Sequence, residues 1–362
     1  MKIARVEAVS LSIPFTYGGA RRLAGTEWRA LDFCLVRVET DDGIVGWGDA
    51  FAYSCRRAVA AAVDGMVARI AVGHDAADIA GLHAKLQRDL HLFGRYGITV
   101  FAISGLDIAL WDIAGKVAGK PLHALLGGAQ RTSVPYYASL LRYGEPKLVR
   151  EYCGRALGEG FGSIKLHEVE DAAIAAARDV VPREIPLTVD VNCEWTPADA
   201  IAAAQRFRAF DLEWLEEPVF PPEDFRALRA VGEASGVPIA AGENFCFATQ
   251  FAALLDERAV AFAQPSVTKV GGITEFLKVA ALADARGVRV APHSPYFGPG
   301  ALATLHLLAA RADARFELFY LWPEAKLYGA ALDPVRGALA LPRGPGLGAD
   351  PDPEVLRRFR AD

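Results

Sequence analysis

Apolar and polar residues alternate from Ile3 to Ile13 and again from Phe33 to Glu39, a period of two that predicts half-buried strands. The second run leads into Asp41-Asp42-Gly43, a turn signal, after which IVGWGDA predicts a third strand. The period then lengthens. Between Val100 and Ala118, Ile103, Leu106, Leu110, Ile113 and Val117 recur at helical spacing, with Gly119 and Pro121 just beyond as stop signals. Up to about residue 125 the pattern is that of an α+β unit.

From about residue 131 the chain alternates a short apolar strand with a helix. Strand ends are expected near Ser139, His167, Asn192, Glu216, Glu243, Gln264, His293 and Glu317, at intervals of between twenty and thirty residues. Eight such units predict a (β/α) barrel of the TIM type, whose active site lies at the strand C-terminal ends. The strands, such as IPLTVDV and VPIAAGE, are mostly apolar, and helices such as Pro197 to Phe210 are Ala-rich. That suits a sheet covered on both faces. Beyond about residue 330 the chain is rich in Pro and Gly and is expected to pack back on the N-terminal domain. The predicted organisation is α/β: an α+β domain over 1–125, a barrel over 126–328 and a C-terminal segment over 329–362.

Composition narrows the partners. The 362 residues are 52% hydrophobic and 23% charged, with a formal net charge of -5 and no long run of like charge. Nothing there would neutralise nucleic-acid phosphates or an anionic membrane. The expected partners are a small-molecule carboxylate and further copies of the chain. Cys34, Cys55, Cys153, Cys193 and Cys246 are odd in number, lie far apart and form no CxxC pair, so they read as reduced thiols. Arg5 and Glu7 interrupt the N-terminal run, unlike a signal-peptide core, and no stretch reaches roughly 18 uncharged apolar residues. A cytoplasmic location is expected.

The candidate chemistry sits at the strand ends. In SIKLH, alternation places Lys165 and His167 on one face and Ile164 and Leu166 on the other. The same parity puts Asp190 with Asn192, Glu216 with Trp214, and Glu243 with Ala241. Any one of these acids alone would read as a helix cap or a surface group. Three at consecutive strand ends repel one another unless a cation neutralises them, and an all-oxygen set suits a hard ion such as Mg²⁺. Glu217 has the opposite parity and reads as a structural ion pair or support for the site. His293 ends the seventh strand, across the barrel from Lys165 and His167, so two proton-transfer candidates face each other. His74, His83, His91, His123 and His306 read as structural.

These residues carry a resemblance. AISGLDIALWDIAGKVAGKPLHALLGG, over 102–128, and LTVDVN followed by WLEEP resemble the two signatures of the mandelate racemase and muconate lactonizing branch of the enolase superfamily. The resemblance spans nearly the whole chain and implies a capping α+β domain over a modified barrel, with Asp190, Glu216 and Glu243 as Mg²⁺ ligands. The glutamate in GEN points to the mandelate racemase subgroup. By position, Lys165 would neutralise a substrate carboxylate, His167 would stand where a second lysine is usual, and His293 would be the base on the opposite face. Lys269 matches a lysine that is a base in the other subgroup. Glu317 would contact the substrate carboxylate, as a donor if protonated, and Ser139 could assist. Two departures stand out: Ser266 replaces an aspartate that would pair with His293, and a serine can orient an imidazole without stabilising imidazolium by charge. His167, for its part, has a lower reference pKa than lysine and could be the principal base.

The implied reaction is abstraction of a proton next to a carboxylate, with metal and lysine offsetting the charge of the enediolate. Dehydration of an acid sugar is the expected outcome. Racemisation or epimerisation of a hydroxy acid or amino acid derivative, and a metal-binding barrel impaired in catalysis, are the alternatives. Substrate choice is expected from the cap, through the loop Tyr17 to Trp28 with Arg21 and Arg22, and through Tyr53.

Overall fold

The computed structural model describes residues 1–18, 22–23, 26–335 and 337–361. The predicted N-terminal strands are β1 (Ile3–Thr16), β2 (Ala30–Thr40) and β3 (Val45–Ala50). In β1 the buried set Val9, Leu11, Ile13 and Phe15 alternates with more exposed residues, as the period-two pattern requires. β1 pairs antiparallel with β2, Leu11 opposite Phe33, and β2 pairs antiparallel with β3. Between β2 and β3, Gly43 adopts φ +85, where a side chain would be strained.

Behind this sheet lies the predicted helix, α1 (Ile98–Ala118). It is long and apolar enough to cross a membrane, but most of it is buried inside the molecule. It comes so close to β3 that a Cβ on Gly48 would stand 1.8 Å from Gly105 O. Its two buried acids are satisfied. Asp107 accepts from the backbone N–H and the hydroxyl of Thr274, and Asp112 accepts from the Trp47 and Leu347 N–H groups. The first of these acids ties the helix to the barrel.

The eight expected barrel strands are β4 (Ser133–Ser139), β5 (Ile164–Leu166), β6 (Leu187–Asp190), β7 (Trp214–Glu216), β8 (Ile239–Ala241), β9 (Phe262–Ala263), β10 (Arg289–Val290) and β11 (Phe316–Phe319). They form one curled parallel sheet in the order β10-β9-β8-β7-β6-β5-β4-β11. Tyr137, Trp214, Ala240 and Phe262 fill its interior, while Ile164, Val189, Leu215 and Ile239 pack outward into the main core. The expectation of eight units closing on themselves needs one correction. Among the described residues no strand ladder joins β10 to β11. Ser294 bridges that seam instead, its hydroxyl accepting from Glu317 N–H at 2.9 Å.

The segment after residue 320 serves both parts of the molecule. β12 (Trp322–Pro323) pairs with β1, and β13 (Ala338–Ala340) pairs antiparallel with barrel strand β4. Near the C-terminus, Ser12 N–H donates to Phe359 O, so the last residues meet β1.

Candidate active site

The barrel's C-terminal mouth gathers the predicted chemistry. Fully buried Lys165 places Nζ 2.6 Å from Glu216 Oε1, 3.0 Å from Asp190 Oδ2 and 3.1 Å from Glu317 Oε1. Ligand atoms of Asp190, Glu216 and Glu243 all lie within 4.8 Å of one another. Asp190 Oδ1 accepts from the backbone and side-chain N–H of Asn192, whereas the buried Asp190 Oδ2 faces the Lys165 ammonium and His167 Nε2. Trp214 Nε1 donates to the second oxygen of Glu216 at 3.0 Å.

Strand alternation accounts for Lys165, His167, Asp190 and Glu216, but not for Glu243. Ala241 faces outward into the main core, opposite to the expected parity. Gly242, at φ +135, then turns the chain so that the following glutamate enters the mouth. A Cβ there would stand 2.7 Å from the Phe251 ring, which restricts the position to glycine. Glu217, at φ +42, lies beside the same mouth. It accepts hydrogen bonds from Asn244 Nδ2 and the Cys193 thiol, both neutral donors, which matches a supporting role and not an ion pair, the two alternatives the sequence left open.

Above this floor opens a cavity of about 960 Å³. Its polar side includes His167, Asn192, Glu194, Glu217, Glu243, Asn244, Lys269 and His293, and its aromatic side includes Trp28, Phe51, Tyr53 and Phe101 from the N-terminal part. Lys269 Nζ lies 3.4 Å from Glu243, 3.1 Å from Asn244 Oδ1 and 4.6 Å from the centre of the Phe51 ring. His167 Nδ1 is 2.5 Å from Leu140 O, and its Nε2 is 3.4 Å from Asp190 Oδ2. His293 Nε2 is 3.0 Å from Glu243 Oε2.

Several expected site residues stand elsewhere. Tyr17 does not line the cavity: its hydroxyl donates to Arg142 O and its ring packs on Tyr143, latching the cap to the loop after β4. Ser139 is buried below the cavity and donates to Glu317 at 2.8 Å. Ser266 lies behind His293, 3.3 Å from its Nδ1. Arg21 lies outside the described residues. Tyr53 and Trp28 do line the cavity, Tyr53 donating to Pro295 O.

Arg142 and Tyr296 were not anticipated. Arg142 Nε donates to His167 O at 2.6 Å, on a loop pinned where Glu168 accepts from Tyr143 and Gly144 N–H. Tyr296, fully enclosed, bonds His293 Nδ1 at 2.9 Å and touches Ser266 through its hydroxyl. No periodicity marks either residue, because both sit on loops and act across gaps in sequence.

The electrostatics follow from crowding. Burial by itself would raise every carboxyl here. For Asp190, Lys165 and His167 outweigh burial and hold it below the usual carboxylate range; for Glu243, His293 and Lys269 do the same. Glu216 goes the other way, pushed up by burial and by Asp190. Glu217 is pushed up to about 8 by burial and by Glu243. Glu317, despite burial, is lowered by Lys165, and its two oxygens accept from the Ser139 hydroxyl and the Ser294 N–H. The Lys165 ammonium is held charged: burial opposes it, but Asp190 and Glu216 prevail. Five clustered carboxyl groups face two lysines. An oxygen-only set of three converging acids, in a cluster where carboxyl groups outnumber lysines, fits a further hard cation.

A cavity at the C-terminal mouth of a barrel, roofed by aromatic residues, is the place where barrel enzymes carry out their chemistry. Residues 148–355 match the enolase C-terminal domain-like family model, and residues 18–127 match that of the mandelate racemase / muconate lactonizing enzyme N-terminal domain. The chain belongs to the mandelate racemase / muconate lactonizing enzyme family of the enolase superfamily, and it is an enzyme of the lyase or isomerase type. It is 32% identical to a D-galactarolactone cycloisomerase of Agrobacterium fabrum over 90% of each chain. It is 30% identical to an arabinonate dehydratase of Saccharolobus solfataricus over 91% of each. Among solved structures, a mandelate racemase/muconate lactonizing protein of Paracoccus denitrificans in complex with magnesium superposes with a TM-score of 0.89 at 28% identity, covering 99% of this chain and 98% of that one.

Proposed function

We propose that this enzyme dehydrates an acid sugar, removing the proton next to its carboxylate and expelling the β-hydroxyl to leave a 2-keto-3-deoxy acid. The observation that carries the reading is the convergence of three carboxylates within 4.8 Å beside two histidines and a lysine lining one cavity. Relatives named as arabinonate, D-gluconate and D-galactonate dehydratases support it. Asp190, Glu216 and Glu243 would hold Mg²⁺. When bound, that ion supplies positive charge against the second negative charge that builds on the substrate carboxylate.

The chain's own residues divide the remaining work. Lys165 adds a fixed positive charge at the carboxylate end, and Glu317 with Ser139 keeps it in place. His167, His293 and Lys269 line the space where the α-carbon would sit. Asn192 and Glu194 offer polar contacts to hydroxyl groups, while Trp28, Phe51 and Tyr53 exclude water, which strengthens every charge interaction beneath them. The five unpaired thiols suit a reducing cytoplasm. Exposed Leu92, Phe93 and Phe220 offer apolar surface for self-association.

Two relatives are cycloisomerases, which favours a second reading that shares the α-proton step. The test is a library of acid sugars and their lactones with Mg²⁺, assayed for 2-keto product and, in D₂O, for α-deuterium in recovered substrate. Keto product supports dehydration; exchange or lactone opening without it supports isomerisation. No reaction with any acid sugar or lactone sinks both.

A further inference from the structure

The barrel strands end at the catalytic mouth, and at the opposite end, where they begin, lies another cavity of about 190 Å³. A single water needs about 10–15 Å³ by the same measure, so a small molecule fits. Buried Tyr137, Trp214 and Phe262 form its floor. At its edge stand Arg289, the exposed first residue of β10, and half-buried Arg315, just before β11. The two cavities share no lining residue.

Three side chains here have hydrogen-bond donors to spare. The Arg289 guanidinium lies over the Phe262 ring, 3.9 Å from its centre, and among the described residues it forms no ion pair. Stacking engages the flat face of the group, whereas its N–H donors lie in the plane and stay unspent. Arg315 gives one nitrogen, Nη2, to the Glu213 carboxylate, with its guanidinium carbon 5.9 Å from the centres of both the Tyr137 and Trp214 rings. The Tyr137 hydroxyl is buried without a hydrogen-bond partner, an uncommon state for a polar group inside a protein. The two acids at the edge do not answer Arg289. Glu213 is taken up by Arg315, and the charge of Asp313 acts on Arg131.

We propose that this cavity is a second binding site, for a small oxyanion, held by the Arg289 and Arg315 guanidinium groups with the Tyr137 hydroxyl as a further donor. Oxyanion oxygens only accept, which matches a site whose unspent groups are donors, and two guanidinium charges turn a cation away. A planar guanidinium fork meets two oxygens of a carboxylate or a phosphate at once. The aromatic floor leaves room for a short alkyl chain behind a carboxylate, and inorganic phosphate presents the same oxygens without one. The site lies at the far end of the barrel from the catalytic mouth, so the inference does not depend on which reaction the enzyme performs.

The experiment titrates the Mg²⁺-loaded protein in solution with inorganic phosphate, followed by ³¹P line width, and separately with propionate, followed by saturation transfer from the protein. Saturable binding of either is expected, and the pair of titrations tells which oxyanion the cavity prefers. Arg289→Ala, a change at an exposed side chain, should weaken that binding by about tenfold or more, the usual weight of a hydrogen bond to a charged group. Arg289→Lys keeps the charge but not the planar fork and should fall between the two. Tyr137→Phe should weaken binding by a smaller factor; an unchanged affinity removes the hydroxyl from the site. Glu216→Gln, at the mouth, should bind the anion as the parent does. Binding lost in Glu216→Gln and kept in Arg289→Ala would place the anion at the mouth and overturn the proposal. So would the absence of saturable binding by both phosphate and propionate in the parent.

Discussion

At the scale of the residue, the site is an excess of acid held in a small space, and each carboxyl finds its own state. Glu217 shows this best, because its folded-state pKa is raised to about 8 by burial and by Glu243. An acid raised in this way keeps a proton that the unfolded chain releases. Its stabilising effect is complete below the ordinary carboxylate range and is lost as pH rises toward 8. Replacing it with neutral glutamine, which can still accept from Asn244, should leave stability of the metal-free protein unchanged near pH 4. Near pH 9 the variant should be more stable by about 1–3 kcal/mol. Urea unfolding at the two pH values measures this, and a variant less stable than the parent at pH 9 would refute the assigned state.

Elements set how precisely these residues meet. α1 and β3 touch backbone to backbone at Gly48 and Gly105. Gly48→Ala would drive a methyl into Gly105 O and should cost at least about 3 kcal/mol, the upper end of ordinary overpacking. A urea midpoint unchanged from the parent would show that the two elements separate easily. The β10–β11 seam depends on Ser294, which accepts from Glu317 N–H and bonds Glu317 O. Ser294→Ala leaves that buried N–H without a partner and should cost about 1–3 kcal/mol, with turnover reduced because Glu317 shifts. A loss smaller than about 0.5 kcal/mol in the same assay would show that the seam is held by other contacts. The gap in the ladder was not legible in the sequence, because VRVAPHSP reads like any other strand end and its partner lies far along the chain.

For the molecule as a whole, the cap and barrel share one task, and the metal couples them to stability. An ion that binds only the folded protein raises its stability by about 2.7 kcal/mol at a hundredfold excess over Kd. Thermal unfolding with saturating Mg²⁺ should therefore occur several degrees higher than in chelator. Glu216→Gln should fold, lose that Mg²⁺-dependent rise, and lose turnover by about 10³-fold, a loss of several kcal/mol of charge stabilisation. An undiminished rise in the variant would mean that the ion binds elsewhere.

The sequence by itself determined what depends on short range. Strand alternation is a local property, so eight strand ends, the shared face of Lys165 and His167, and the acids at 190 and 216 could be located without coordinates. Tertiary structure decided what depends on chain segments meeting. It turned Glu243 inward through Gly242 against a wrong parity, moved Tyr17 from the cavity to a latch on Arg142, and set Tyr296 against His293. It also placed Leu140 O against His167. Periodicity records which face a residue occupies, whereas the partner on that face is chosen by the packing of distant loops.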